Sequence, residues 1–208
     1  MSVFLNTNVM KCKRLEFIAI SNKPAHQEPQ GRPEFPDRLV DCLTGKEIPF
    51  SNKDNIRQKM LRFLIDEKGY RKEEIRVDSE IRYRIEGAEM VSLVDISIVL
   101  GNKTLMVWKC ASGSVVSRER QIIASARLLE DYLVPLAVVT NGRDLELLDT
   151  STEKVTGEGR DAIPRREELV RIAEEFSARP TNGKKLANEQ RVLYTYDAIA
   201  CPSNRVTP

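Results

Sequence analysis

The stretch SLVDISIVLGNKTLMVWKCASGS, residues 92–114, contains two apolar runs, Ile96 to Leu100 and Leu105 to Val107, with one charged residue beside each, Asp95 and Lys109. Short apolar runs bounded by turn residues are the pattern of buried strands. A charge inside such a strand costs several kcal/mol unless it is paired or coordinated. The fold must therefore bring a partner to each of them. If Gly101, Asn102 and Lys103 make a three-residue loop, Leu100 pairs with Thr104, Asp95 falls opposite Lys109, and Val107 shares their face. A two-residue loop would instead oppose Asp95 to Trp108 and separate the charges. The first register is preferred because it gives each charge a partner.

Elements on either side frame this hairpin. SNKPAHQEPQGRPEFP places four prolines within residues 21–36, which blocks regular structure and reads as a linker. We therefore expect an N-terminal segment and Pro-rich linker over 1–37, a folded core over 38–150, and a turn-rich and helical extension over 151–208. RLVDCLTGKEIPF reads as a short hairpin turning at Thr44-Gly45-Lys46. SNKDNIRQKMLRFLIDEKGY reads as a helix capped by Asn52 or Asp54. Its Ile56, Met60, Phe63 and Leu64 face inward and Gly69 stands past its end. Arg57, Lys59 and Arg62 fall on the other, solvated face.

IRVDSEIRYRIE alternates with period two, setting Arg76, Asp78, Glu80, Arg82 and Arg84 toward solvent. SRERQIIASARLLEDYLV supplies a second helix, with Ile122, Ala126, Leu129 and Leu133 as its apolar stripe. PLAVVTNGRDLELLDT gives two strands meeting at Asn141-Gly142. Beyond Thr150, STEKVTGEGRDAI reads as turns. A helix opened by Pro164 follows, with Leu169, Ile172, Ala173 and Phe176 inward, and NEQRVLYTYDAIA is the last helix.

This order, helix, three strands, helix, strand, with an acid and a lysine on neighbouring strands, resembles the PD-(D/E)xK nuclease fold. In particular it resembles the N-terminal nuclease domain of type I restriction enzyme R subunits. The resemblance is carried by IRQKMLRFLIDEKGY as first helix, Glu80 on the first strand, VDISIV around the family's metal-binding aspartate, MVWKCAS where the acid-x-lysine element belongs, Gln121 on the next helix, and VVTNG. It covers residues from about 54 to 150. It implies an α/β, restriction-endonuclease-like core, a mixed central sheet flanked by helices in the order αβββαβ, with extra hairpins and C-terminal helices around it.

For the site, the resemblance implies Asp95 as Mg²⁺ ligand, Lys109 beside the attacking water, and Gln121 in support. One departure stands out: the position two before Lys109 is Val107, where the family has a second acid. Glu80 or Glu119 could supply the missing carboxylate. With a lone Asp95, the Mg²⁺ implied would be weak or substrate-dependent. Arg118 and Arg120 open the second helix, and with Arg57 and Lys59 they are the cations we assign to the DNA backbone.

Charge and cysteine usage bound the alternatives. With 33 basic against 31 acidic residues the chain carries a net charge of only +2, which excludes a histone-like polycation and leaves local patches as the route to nucleic acid. Four cysteines without a CxxC pair, and the single His26, argue against a zinc site or a disulfide framework. No run approaches the ~18 apolar residues of a membrane span, so a cytoplasmic location is expected. The chain has no GxxxxGK[ST] motif, so the ATP-driven work of a whole restriction subunit would come from separate restriction–modification subunits. Two functions stand: a Mg²⁺-dependent DNA endonuclease, or a catalytically inactive module on the same fold for nucleic-acid binding or protein interaction.

Overall fold

The structure, a computed structural model, describes residues 36–181 and 183–200. The expected Pro-rich linker lies outside the described residues apart from its last two. A hairpin of β1 (Arg38–Val40) and β2 (Glu47–Pro49) leads into α1 (Asn52–Arg62). The helix is capped by Ser51 rather than Asn52 or Asp54: its side chain accepts from the Asp54 amide at 3.0 Å, satisfying a donor that the first turn leaves free. Gln58 pins the hairpin to α1, accepting from the Cys42 amide and donating to Asp41.

Six strands follow in one sheet: β3 (Ile75–Ile85), β4 (Ala88–Leu100), β5 (Lys103–Cys110), β6 (Leu136–Thr140), β7 (Leu145–Asp149) and β8 (Lys154–Glu158), lying side by side in that order. All neighbours are antiparallel except β5 and β6, which run parallel because α2 (Glu119–Leu128) crosses over between them. This is the mixed α/β sheet and αβββαβ order that the sequence implied. The segment around Lys154–Glu158, expected as turns, instead forms the edge strand β8, and α3 (Arg166–Glu175) and α4 (Gly183–Ala200) follow it.

Each face of the sheet buries its own core. Alternation along β5 sends Met106, Trp108 and Cys110 to one side, under Met60, Leu61 and Leu64 of α1 and Leu169 of α3. It sends Val107 to the other side, against Ile122, Ile123 and Ala126 of α2, with Leu193 of α4. Trp108, completely buried, anchors the α1 side. In α3, Leu169 is buried as expected, whereas Ile172 is exposed.

The β4–β5 hairpin joins features of both registers weighed above. Its turn is two residues long, Gly101-Asn102, both at positive φ, so Leu100 pairs with Lys103. A bulge at Leu105 then shifts the ladder, so that Ile98 opposes Met106 and Ile96 opposes Trp108. That is the register the three-residue loop would have set, and the next step brings Asp95 to Lys109.

Candidate functional site

Asp95 stands where the sheet ladder opens on both sides. Toward β5 the pairing ends at Ile96 and Trp108. Toward β3, Val77 pairs with Ile96 and Ser79 with Val94, and the step between them, Asp78 against Asp95, is skipped. Asp78 has φ of 51°, a left-handed conformation that Asp tolerates better than most residues. At this point both strands change cores: Ile75 and Ile96 belong to the α1 side, Ile81 and Val94 to the α2 side. The break releases the Asp95 side chain into the gap between β4 and β5.

There the carboxylate, with no solvent exposure, meets one hydrogen-bond donor and two ammonium groups. Oδ2 accepts from the Cys110 backbone N–H at 2.7 Å, standing in for the missing ladder bond, and lies 3.5 Å from Lys109 Nζ. Oδ1 lies 2.6 Å from Nζ of Lys53, in the first turn of α1. Burial by itself would lower the Lys53 pKa, but the Asp95 carboxylate offsets this and holds the ammonium above its ordinary value. The Lys53 side chain is therefore a full positive charge at neutral pH. Burial, with Asp95 nearby, pushes the Cys110 thiol far up, which makes it inert as a nucleophile.

One turn along α1, Arg57 makes the neighbouring link. Expected on a solvated face, it is instead buried. Its Nη1 reaches both carboxylate oxygens of Asp78 at 2.7 Å and its Nη2 reaches Asp54 at 2.7 Å. Three carboxylates, Asp54, Asp78 and Asp95, thus meet three cations, Lys53, Arg57 and Lys109.

The other residues singled out from sequence lie elsewhere. Glu80 is half-exposed beside Leu93 and pairs with Arg82, not with the Asp95 cluster. Gln121, buried on α2, accepts from Arg118 at 3.3 Å and donates to Asp197 at 3.4 Å. Arg118 also lies over the Tyr196 ring. Arg120 is tied at 2.6 Å to Glu189 of α4, which also holds Arg127. Lys59 is exposed on α1. Glu119, in the first turn of α2, has Glu146 among its neighbours. The residues that sequence reasoning missed are Lys53 and the Asp78–Arg57 link. Lys53 was hidden as an ordinary helix-start lysine, and Asp78 as one more polar residue on an alternating strand.

Loops at the ends of the parallel strands form the rim. Asn141 Nδ2 donates to the Gly113 carbonyl at 2.9 Å, joining the segment after β5 to the turn after β6. Asn141 Oδ1 accepts from the amides of Arg143 and Asp144. Arg143 is exposed and its guanidinium has no partner among the described residues. In open α/β sheets, ligands characteristically meet this edge, beyond the carboxyl ends of parallel strands.

The divalent ion implied by the resemblance can be tested against these side chains. Asp95 Oδ2 accepts from the Cys110 N–H, Oδ1 has no hydrogen-bond partner among the described residues but faces the Lys53 ammonium, and Val107, where a second carboxylate belongs, is fully buried among aliphatic side chains. Among the described residues no group of three or more His, Cys, Asp or Glu side chains is arranged to hold a metal. The donor set does not fit a two-carboxylate Mg²⁺ site. Among the described residues no helix is long and apolar enough to cross a membrane.

Residues 52–164 match the family described as type I restriction enzyme R protein N terminus (HSDR_N). No curated protein and no solved structure matches the chain.

Proposed function

The chain belongs to the type I restriction enzyme R protein N-terminus family, and from that membership we propose that it is a nuclease-related module that holds the DNA phosphate backbone without cutting it. It would act in the cytoplasm beside separate restriction–modification subunits. The observation that carries this reading is the state of Asp95: its oxygens are engaged by Lys53, the Cys110 N–H and Lys109, with Val107 in place of the second acid. Hydrolysis of a phosphodiester needs a nucleophile generated at neutral pH and neutralisation of the charge that develops on phosphate. A carboxylate already neutralised by two lysines and bound to a backbone N–H is poorly disposed to supply the first.

Backbone binding has support of its own kind. Lys53 and Lys109 keep part of their surface in water, Arg143 is exposed on the adjoining rim, and Arg118 opens α2. We assign these cations to phosphate, contacts that carry no sequence information and so favour binding without marked sequence preference. The deciding experiment incubates plasmid and linear DNA with the protein in Mg²⁺ and in Mn²⁺, beside a binding titration in EDTA. We expect salt-dependent binding in EDTA and intact DNA throughout. Cleavage that is lost in Asp95→Asn would replace this reading with the endonuclease one, and absence of binding at low salt would remove the DNA assignment.

A further inference from the structure

We infer that the Lys53 ammonium takes the place of a divalent cation at Asp95, acting as a built-in counter-ion that closes the site to metal. This deepens the reading above and rests on its assignment of the Asp95 site. A buried carboxylate requires a counter-charge, and either a metal or a side-chain cation can provide it. Lys53 Nζ, 2.6 Å from Oδ1, is the nearer of the two lysines, Lys109 lying at 3.5 Å from Oδ2.

The position of Lys53 points the same way. It sits in the first turn of α1, where the helix dipole disfavours a positive charge. Helix stability therefore does not account for a lysine there, whereas the Asp95 carboxylate does. The first turn of its helix is held by the Ser51 side chain, which accepts from the Asp54 amide, and Arg57 one turn later fastens the same helix to Asp78. With three carboxylates already balanced by three cations, a divalent ion would bring two uncompensated charges into the cluster. The Lys53 side chain nonetheless keeps 40% of its surface exposed, so its removal would open a path from solvent to Oδ1.

The test uses the full chain without DNA, so that its result and that of the DNA assays can fail separately. Thermal melting in EDTA, Mg²⁺ and Mn²⁺, with Mn²⁺ binding followed by electron paramagnetic resonance, is applied to wild type, Lys53→Met and Lys53→Arg. We expect wild type and Lys53→Arg to melt alike in all three conditions and to bind no Mn²⁺. Lys53→Met should melt roughly 3–8 °C lower in EDTA, recover part of that loss in Mg²⁺ or Mn²⁺, and bind Mn²⁺. A wild-type protein that already binds Mn²⁺ with a rise in Tm overturns the inference, as does a Lys53→Met variant with unchanged melting and no Mn²⁺ binding. Should Lys53→Met fail to fold, Asp95→Asn/Lys53→Met decides. Restored folding upholds the counter-ion role, because the charge needing compensation has gone, and continued failure overturns it.

Discussion

Glu146 shows what one carboxylate does when its neighbours carry the wrong sign. It lies on β7 across from Glu158, with Oε2 buried and without a hydrogen-bond partner among the described residues. Burial, followed by the charges of Glu119, Glu158 and Asp144, raises its pKa above the ordinary glutamate value. The folded state therefore binds this proton more tightly than the unfolded chain does. The penalty is present in full above the folded-state pKa and is relieved as the pH falls through it toward the unfolded value near 4.3. Like charges opposed across strands cost about 0.2–1 kcal/mol. Glu146→Gln should stabilise the protein by an amount of that order at pH 7. Chemical denaturation at pH 7 and pH 4.5 checks it, the gain shrinking at the lower pH.

At the scale of elements, α1 is the part that turns a break in the sheet ladder into a closed ion cluster, and the turn after β6 helps to seat it. Gly142 has φ of 88°, and a Cβ added there would come within 3.2 Å of Ile56 on α1. Gly142→Ala therefore combines backbone strain with a contact against the helix that carries Lys53 and Arg57. A loss of about 1 kcal/mol or more is expected, measured as a lower urea midpoint with an unchanged m-value. On β5 the corresponding experiment is Val107→Glu, which sets an acid into the aliphatic core beneath α2. It should destabilise the fold by roughly 1–3 kcal/mol. Mg²⁺ should restore none of this loss, because the new carboxylate lies on the α2 side of the sheet while Lys53 reaches Asp95 from the α1 side. Melting of the variant with and without metal checks this.

For the molecule as a whole, the question is how many cations remain available to a phosphate backbone. The near-neutral net charge makes the answer local, and the structure removes several candidates from the count. Arg57 is buried between two aspartates, and Arg120 is bound to Glu189. Removing Arg118 and Arg120 together should thus lower the salt dependence of DNA binding by about one unit of slope, not two, while Arg120 adds a stability cost through α4. Arg143→Ala, on the exposed rim, should reduce the slope by about one unit and weaken binding alike across sequences, with Tm unchanged. Titrations over a series of salt concentrations on unrelated duplexes measure both effects.

Much of this architecture is written locally in the chain. The apolar runs, the turn signals at Gly101-Asn102-Lys103 and Asn141-Gly142 and the helical spacing of Ile56, Met60, Phe63 and Leu64 specify the element order, because each depends on neighbours a few residues away, although the preferred three-residue loop proved to be a two-residue turn followed by a bulge. The pairing of Asp95 with Lys109 was legible for a related reason: two charges in apolar strands need a partner, and hairpin register allows only a few. The loss of the family's second acid at Val107 is likewise a property of sequence alone. Tertiary structure decided the rest. Alternation along β3 placed Asp78 on the solvent face, where it remains exposed, but the packing of α1 delivers Arg57 to it, which no local pattern foretells. Strand β8 is too polar and exposed to show a period, and it exists through backbone pairing with β7. Which lysine meets Asp95 at 2.6 Å depends on where the start of a distant helix comes to rest, and that position follows from burying its apolar face against the sheet, not from any feature of the residues beside Lys53.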